Sequence, residues 1–261
     1  MRRVRCPEGE KLKKNVRTFR TFCLCVMLLL CNVCAAQERC GTEVKLLLSP
    51  AEISATVATL KAQKESSSAV YFFDTDRREL LSRGLIVRLR HGSSSDLTVK
   101  LRLPQDNKFT DTTGGKEDFK CEVDLAGKEV NTSYSIRNKF SGSQVPETGT
   151  DIYRAFSGGQ RELLRAAHMA IDWNQVKRVA DIKVTDWEIK LESRSRKLAL
   201  ELWEWRGNKI LELSSKTGSE EGEAAYEELR QLAIGKGLKL SADQRSKTRM
   251  VLESPASTTT H

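Results

Sequence analysis

Charged and apolar side chains alternate along several short segments of this chain, and this alternation limits its fold more than any other feature. In residues 97–103, every odd position is leucine or valine and every even position is threonine, lysine or arginine. Successive side chains of a β-strand point to opposite faces of a sheet, so this period of two predicts a strand with one apolar and one charged face. A solvated charged face explains such a strand when it occurs once.

Here the pattern recurs in five predicted strands, and each strand has two long charged side chains that point to the same face. The pairs are Glu43/Lys45, Arg88/Arg90, Lys100/Arg102, Lys120/Glu122 and Glu212/Lys216. The repetition favours a closed or curled sheet around a polar interior. Converging arginines and lysines would bind a multiply charged oxyanion there, since Arg donates bidentate hydrogen bonds and Lys supplies a point charge. Carboxylates among them would hold a hard metal ion such as Mg²⁺ or Mn²⁺, or would pair internally with the cations.

Helices are predicted beside and between these strands. Ser49, Pro50 and Glu52 form an N-terminal capping pattern, which predicts a helix over about 50–64. Apolar residues at helical spacing predict another helix over 220–234. Residues 127–180 differ in character from the strand segments, and we interpret them as a helical insertion. The predicted fold class is therefore α+β, an antiparallel β-barrel with flanking helices and a helical insertion.

The first 36 residues have the pattern of a secretory signal peptide. Basic residues precede an apolar run over 22–36, which ends at Ala35 and Ala36. The run of 15 residues is shorter than the roughly 20 that a membrane-spanning helix needs, so no permanent span is expected. We expect an exported protein, periplasmic or secreted, with one domain over 37–252 and a flexible tail over 253–261.

The formal net charge of +9 belongs mostly to this leader. Its eight Lys/Arg and two Asp/Glu contribute +6, and the remaining 36 basic and 33 acidic residues contribute only +3. The small net charge of the folded domain gives no support for nucleic-acid binding, and nucleic acid is not an expected partner. Any anion-binding surface of the folded domain would depend on where its charges are placed.

Only two of the seven cysteines, Cys40 and Cys121, lie outside the leader. A pair of cysteines in an exported protein is a disulfide candidate. Two independent free thiols are the better interpretation if the leader is not a signal peptide.

The strand motifs, taken in order, resemble those of the CYTH or triphosphate tunnel metalloenzyme superfamily. That superfamily contains inorganic triphosphatases, thiamine triphosphatases and class IV adenylate cyclases. The matching segments are Glu43-Val44-Lys45, Tyr71-Phe72-Phe73-Asp74-Thr75, Gly84-Leu85-Ile86-Val87-Arg88-Leu89-Arg90, Leu97-Thr98-Val99-Lys100, the strand over 119–123, Ile210-Leu211-Glu212-Leu213-Ser214 and Ser246-Lys247. The resemblance covers most of residues 40–252.

The resemblance implies an antiparallel tunnel whose basic side chains hold a triphosphate and whose glutamates hold Mg²⁺ or Mn²⁺. Carried over to this sequence, the phosphate contacts would be Lys45, Arg88, Arg90, Lys100, Arg102 and Lys247, with Lys45 and Arg88 as catalytic residues. The metal ligands would be Glu43, Glu122 and Glu212.

Two positions depart from the family pattern. Gly41 stands where the opening motif has its first glutamate, and Ser214 stands where the late motif has its second. The resemblance therefore supports triphosphate binding better than hydrolysis. Glu201 or Glu204 would be substitutes for the missing carboxylates, although exposed positions on a hairpin are the expected place for both.

The sequence thus predicts a protein that binds tripolyphosphate or an organic triphosphate in a basic tunnel, with slow metal-dependent phosphohydrolysis at most. The alternative is a non-catalytic exported β-barrel whose inner charges pair with each other and whose ligand is a protein or an unrelated small molecule.

Overall fold

The computed structural model describes residues 40–103, 118–190 and 197–254. Within these ranges, nine strands close into one barrel in the order β1-β5-β6-β4-β3-β2-β7-β8-β9. The strands are β1 (Gly41–Leu48), β2 (Gln63–Asp74), β3 (Leu85–His91), β4 (Asp96–Leu103), β5 (Asp118–Ala126), β6 (Glu129–Lys139), β7 (Lys177–Ile189), β8 (Leu198–Trp205) and β9 (Asn208–Thr217). The prediction of a β-barrel is confirmed. The predicted signal peptide lies outside the described residues, as does the predicted tail from residue 255 onward.

Strand pairing in the barrel is antiparallel with one exception. β1 pairs in parallel with β5 on one side and antiparallel with β9 on the other. The remaining neighbours pair antiparallel. Closure leaves no free sheet edge, so the backbone groups of both terminal strands are used in the ladder.

Short helices flank the barrel. They are the 3₁₀ turn Pro50–Glu52, α1 (Ile53–Thr59), α2 (Glu79–Ser82), α3 (Gly149–Arg154), α4 (Gly158–Ala166), α5 (Gly222–Gly235) and α6 (Lys247–Glu253). The helix predicted over 50–64 is too long: α1 ends at Thr59, and β2 begins at Gln63, where it pairs with Glu188 of β7. Pairing in the sheet outweighs local helix preference at these residues.

The prediction of a helical insertion over 127–180 is wrong at both of its ends. Residues 129–139 form β6, which lies between β4 and β5, and β7 already begins at Lys177. The helical part is limited to α3 and α4. β6 was missed because threonine, serine and asparagine dominate it, and only its buried Tyr134 and Ile136 show the apolar period of two.

The two faces of the sheet bury three apolar clusters. One cluster lies outside the barrel, where α1 and α5 cover β1, β8 and β9. Another lies outside β3, β4 and β6, under α3 and α4. The third joins residues from β1, β2, β3, β7, β8 and β9 with Val251 and Leu252 of α6. Residues from strands on opposite sides of a barrel can meet only in its interior, so this cluster and α6 fill one end of the tunnel.

Cys40 and Cys121 form a disulfide with a Cα–Cα distance of 4.7 Å, a separation that is usual for disulfides. The bond links the residue before β1 to β5 and so joins the parallel strand pair covalently. Among the residues that the structure describes, no helix is both long and apolar enough to cross a membrane.

Candidate functional site: a charged cavity inside the barrel

The interior of the barrel contains a cavity with about 500 Å³ of empty space, including the part that opens to solvent. Its floor is the interior apolar cluster, represented by Phe72, Ile86 and Trp203. Its walls are formed by the charged, inward-facing side chains of the strands and by the first residues of α6. The charged lining residues are Lys45, Arg88, Lys100, Arg102, Glu212 and Lys247.

The cavity brings together five of the six residues that the sequence predicts as phosphate contacts. The sixth, Arg90, is not among the lining residues. Its guanidinium donates to Asp186 at 3.2 Å and to Glu201 at 2.8 Å. Arg90 is therefore engaged by two carboxylates and does not line the cavity.

Asp124 is the carboxylate between two of the cavity lysines. Its side chain is 5% exposed, and its two oxygens accept from Lys45 Nζ at 2.5 Å and from Lys100 Nζ at 2.7 Å. Burial alone would raise the pKa of Asp124, but the charges of these lysines outweigh burial and hold it well below the usual range. Burial alone would lower the pKa of Lys45, but the charges of Asp124 and Glu43 outweigh burial and raise it above its usual value.

A second buried group of charges surrounds Lys247 of α6. Its ammonium bonds Glu201 of β8 and, at 2.8 Å, Glu212 of β9, and it lies 4.7 Å from the centre of the Trp203 ring. Glu212 is 4% exposed, and burial raises its pKa to about 7 although Lys45 lies near. Lys247 thus anchors α6 to two strands by ion pairs across the tunnel.

Arg88 and Arg102 differ from the other cavity cations because neither forms an ion pair with any described residue. Arg88 makes one long hydrogen bond, 3.4 Å, to Thr98, and Arg102 donates to Ser246 at 3.1 Å. The Nε atom of each guanidinium is buried and has no hydrogen-bond partner in the described part of the chain. Burying a charge without a counter-ion is costly, so two such groups at one cavity indicate a site for an anion.

Local geometry places these two arginines on neighbouring strands. Gly84 precedes β3 with φ of +76°, and a Cβ atom there would lie 2.3 Å from the carbonyl oxygen of Arg102. Only glycine allows this approach, which closes the backbone bond from Arg102 N to Gly84 O at 2.8 Å. The contact sets the register of β3 against β4 and so the height of both guanidiniums.

The three predicted metal ligands each bond a different lysine. Glu43 bonds Lys45 at 2.9 Å, Glu122 bonds Lys216 at 2.8 Å, and Glu212 bonds Lys247 at 2.8 Å. No group of three His, Cys, Asp or Glu suited to a metal ion occurs in the described ranges. A divalent metal needs several free carboxylate oxygens, and here ammonium groups bind those oxygens instead. This donor set does not fit Mg²⁺ or Mn²⁺.

Two carboxylates of the charged interior were missed or misplaced by sequence reasoning. Asp124 and Glu122 point to the same face of β5, but the resemblance assigns a role only to Glu122. Glu201 was expected on an exposed hairpin, and the structure corrects this: its side chain is 15% exposed and bonds Arg90 and Lys247. The sequence signal for Glu201 is its spacing, because it lies on the same face of β8 as the buried Trp203 and Trp205.

Two solved structures share this fold. A protein from Hippeastrum, described as an adenylyl cyclase with a dominant triphosphatase activity, matches at 17% identity and a TM-score of 0.58, over 82% of this chain and 96% of its own. A protein from Bacillus halodurans, described as an adenylate cyclase, matches at 15% identity and a TM-score of 0.56, over 81% and 97%. No protein-family model matches the chain, and no curated protein matches it in sequence. The likeness to adenylate cyclase-like and triphosphatase proteins is therefore one of fold.

Proposed function

We propose that the cavity binds tripolyphosphate or an organic triphosphate, and that binding is its principal function. The observation that carries the proposal is a pair of half-buried arginines, Arg88 and Arg102, whose Nε atoms are buried without a partner. They have no carboxylate partner among the described residues and face a cavity lined by three lysines. Phosphate oxygens are suitable acceptors for such groups, because guanidinium and ammonium donors form charge-assisted hydrogen bonds to them.

The cavity lysines have enough N–H donors to bind a polyanion without losing their internal ion pairs. An ammonium has three N–H donors. Lys45 and Lys247 each use two on carboxylates, and Lys100 uses one on Asp124. Each lysine thus retains at least one donor, and the guanidiniums retain most of theirs. A polyanion can be held by the remaining donors while Asp124 and Glu212 keep their partners.

The geometry favours slow phosphohydrolysis at most. Efficient phosphoryl transfer requires strong stabilisation of the negative charge on the transferring group and an oriented nucleophile. The cavity's cations supply part of that charge stabilisation. Its carboxylates Asp124 and Glu212, however, are bound to lysines and are poorly placed to orient water.

The proposal is tested by thermal unfolding of the oxidised protein with tripolyphosphate, ATP and, as a comparison anion, sulfate. At ligand 100-fold above its dissociation constant, the bound state gains about 2.7 kcal/mol. Arg102→Met should remove most of the shift caused by tripolyphosphate. Arg165→Met is a matched control, because Arg165 is exposed on α4 and bonds only Glu162 in the ion pairs described.

The alternative, a barrel that binds a protein or an unrelated small ligand, is favoured by one observation. Lys45, Arg90, Lys100 and Lys247 all pair with internal carboxylates, as that hypothesis predicts. The absence of any thermal shift with tripolyphosphate and ATP would support this alternative and refute our proposal.

We also propose that the protein is exported. The leader pattern in residues 1–36 supports this, and so does the disulfide between Cys40 and Cys121, since such bonds persist in oxidising compartments. Fractionation of cells that express the whole chain, with an antibody to the folded domain, tests it. Retention of the uncleaved chain in the cytosol would contradict the proposal.

A further inference from the structure

Lys216 and two carboxylates, Glu43 and Glu122, lie on three neighbouring strands. Glu43 of β1 is the register partner of Lys216 of β9, and Gly41 of β1 is the register partner of Glu122 of β5. Lys216 Nζ reaches across β1 and donates to Glu122 Oε1 at 2.8 Å. The ammonium therefore links β9 to β5 across β1.

The charges of this group are complementary. Partial burial lowers the pKa of Lys216, but the hydrogen bond to Glu122 and the charge of Glu43 outweigh that effect and raise it. Lys216 therefore stays charged at neutral pH. Its side chain is 66% exposed, so the contact adds little to stability, and its effect is on what else these carboxylates can bind.

We propose that Lys216 is a resident cation of the tunnel, whose ammonium binds Glu122, lies on the strand next to Glu43, and excludes a divalent metal ion from these two carboxylates. An ammonium at this position takes up oxygen lone pairs that a metal would need, and it repels a second cation. The inference rests on the proposed function in one respect: it explains how this tunnel would bind a polyphosphate without metal.

Gly41 offers a way to test the exclusion directly. A Cβ atom at Gly41 would have no heavy atom within 4 Å, so the backbone there leaves room for a side chain to begin. Gly41→Glu adds a third carboxylate next to Glu122 while Lys216 remains. The double variant Gly41→Glu with Lys216→Met adds the same carboxylate and removes the ammonium, with a side chain of similar length.

The experiment titrates Mn²⁺ into the oxidised whole protein and measures free Mn²⁺ by electron paramagnetic resonance. We expect Gly41→Glu alone to bind Mn²⁺ weakly, and the double variant to bind one Mn²⁺ about ten-fold tighter or more. Adding Glu122→Gln to the double variant should abolish the gain. Replacing Lys216→Met by Lys209→Met is the matched control, since Lys209 is also on β9 but bonds Glu204.

Equal Mn²⁺ affinity of Gly41→Glu with and without Lys216→Met would overturn the inference. So would tight Mn²⁺ binding by the unmodified protein that Glu122→Gln abolishes. Tripolyphosphate binding of the unmodified protein in EDTA is measured in parallel. Its absence would refute the proposed function, whereas the role of Lys216 would still be decided by the Mn²⁺ titrations.

Discussion

Arg88 and Lys100 lie one strand apart in the same cavity, but their partners differ. Lys100 bonds the buried Asp124, whereas Arg88 has no carboxylate partner in the described chain. Arg88→Ala should therefore weaken tripolyphosphate binding about ten-fold or more without lowering the free energy of unfolding, because it removes a half-buried charge that has no ion-pair partner among the described residues. Lys100→Ala should weaken binding similarly and also destabilise the fold by about 1–3 kcal/mol, since Asp124 loses one of its two lysine partners.

Calorimetric titration and urea unfolding of the two variants check this contrast. Unchanged affinity in both would contradict the assignment of the cavity as a triphosphate site. Equal losses of stability would contradict only the distinction between a paired and an unpaired cation.

Glu43 makes the stability of the protein depend on acid pH. Burial raises its pKa, but the adjacent Lys45 outweighs burial and lowers it from 4.5 to about 2. A carboxyl whose pKa is lower in the folded state adds stability above its unfolded pKa, and that stability is lost as pH falls through the folded value. The free energy of unfolding should therefore decrease from pH 5 to pH 2, with Glu43 contributing on the order of 3 kcal/mol at most.

Urea unfolding at several pH values, for the unmodified protein and Glu43→Gln, measures this contribution. The variant should be less stable at pH 6 and should lose less stability on acidification to pH 2. Parallel pH profiles for the two proteins would show that Glu43 does not have the lowered pKa described here. Asp124 shifts in the same direction and shares Lys45 with Glu43, so the difference between the two profiles measures Glu43 together with its coupling to Asp124.

At the scale of the secondary-structure elements, the disulfide joins the two parallel strands β1 and β5. It closes a loop of 81 residues, for which the chain-entropy model gives about 4–5 kcal/mol, and this is an upper figure. Reduction should therefore lower the urea midpoint markedly. It should also loosen the strands that carry Lys45 and Asp124, and so weaken ligand binding.

Alkylation of the denatured, non-reduced protein tests the bond itself. Modification of both Cys40 and Cys121 without a reductant would show that they are free thiols. The double variant Cys40→Ser with Cys121→Ser should reproduce the stability of the reduced protein, and a variant as stable as the oxidised protein would contradict the predicted contribution.

At the scale of the whole molecule, the tunnel balances its cations with its own carboxylates. In the described part of the chain, the three carboxylates that the resemblance assigns to metal each bond a lysine, and the cavity cations without a carboxylate partner are Arg88 and Arg102. We therefore expect tripolyphosphate affinity to change less than about two-fold when EDTA replaces Mg²⁺, and phosphate release to be slow with any divalent metal. Titration calorimetry and a phosphate-release assay measure both quantities. Rapid release that requires Mg²⁺ or Mn²⁺ would refute this expectation while leaving the tunnel fold unaffected.

Much of the fold was predictable because the period of two is a local property of strand geometry. The alternation in residues 85–90 and 97–103 predicted that Arg88, Lys100 and Arg102 lie on the charged faces of their strands. The structure shows that these faces line the interior of the barrel. A closed sheet around a charged interior followed from the repetition of this pattern in successive strands. Helix α5 was also predictable, since its apolar residues recur at helical spacing within one segment.

Strand order, register and charge partners were decided only by the tertiary structure. β6 closes the gap between β4 and β5, and β1 lies in parallel beside β5, although no local pattern signals either pairing. Asp124 meets Lys45 across a separation of 79 residues, and Lys216 meets Glu122 across 94. Side-chain parity is set by each residue's own strand, but the partner of a buried charge depends on which distant strand lies beside it and in which register. For that reason the cations of the tunnel could be predicted from the sequence, whereas which of them retain charge for a ligand could not.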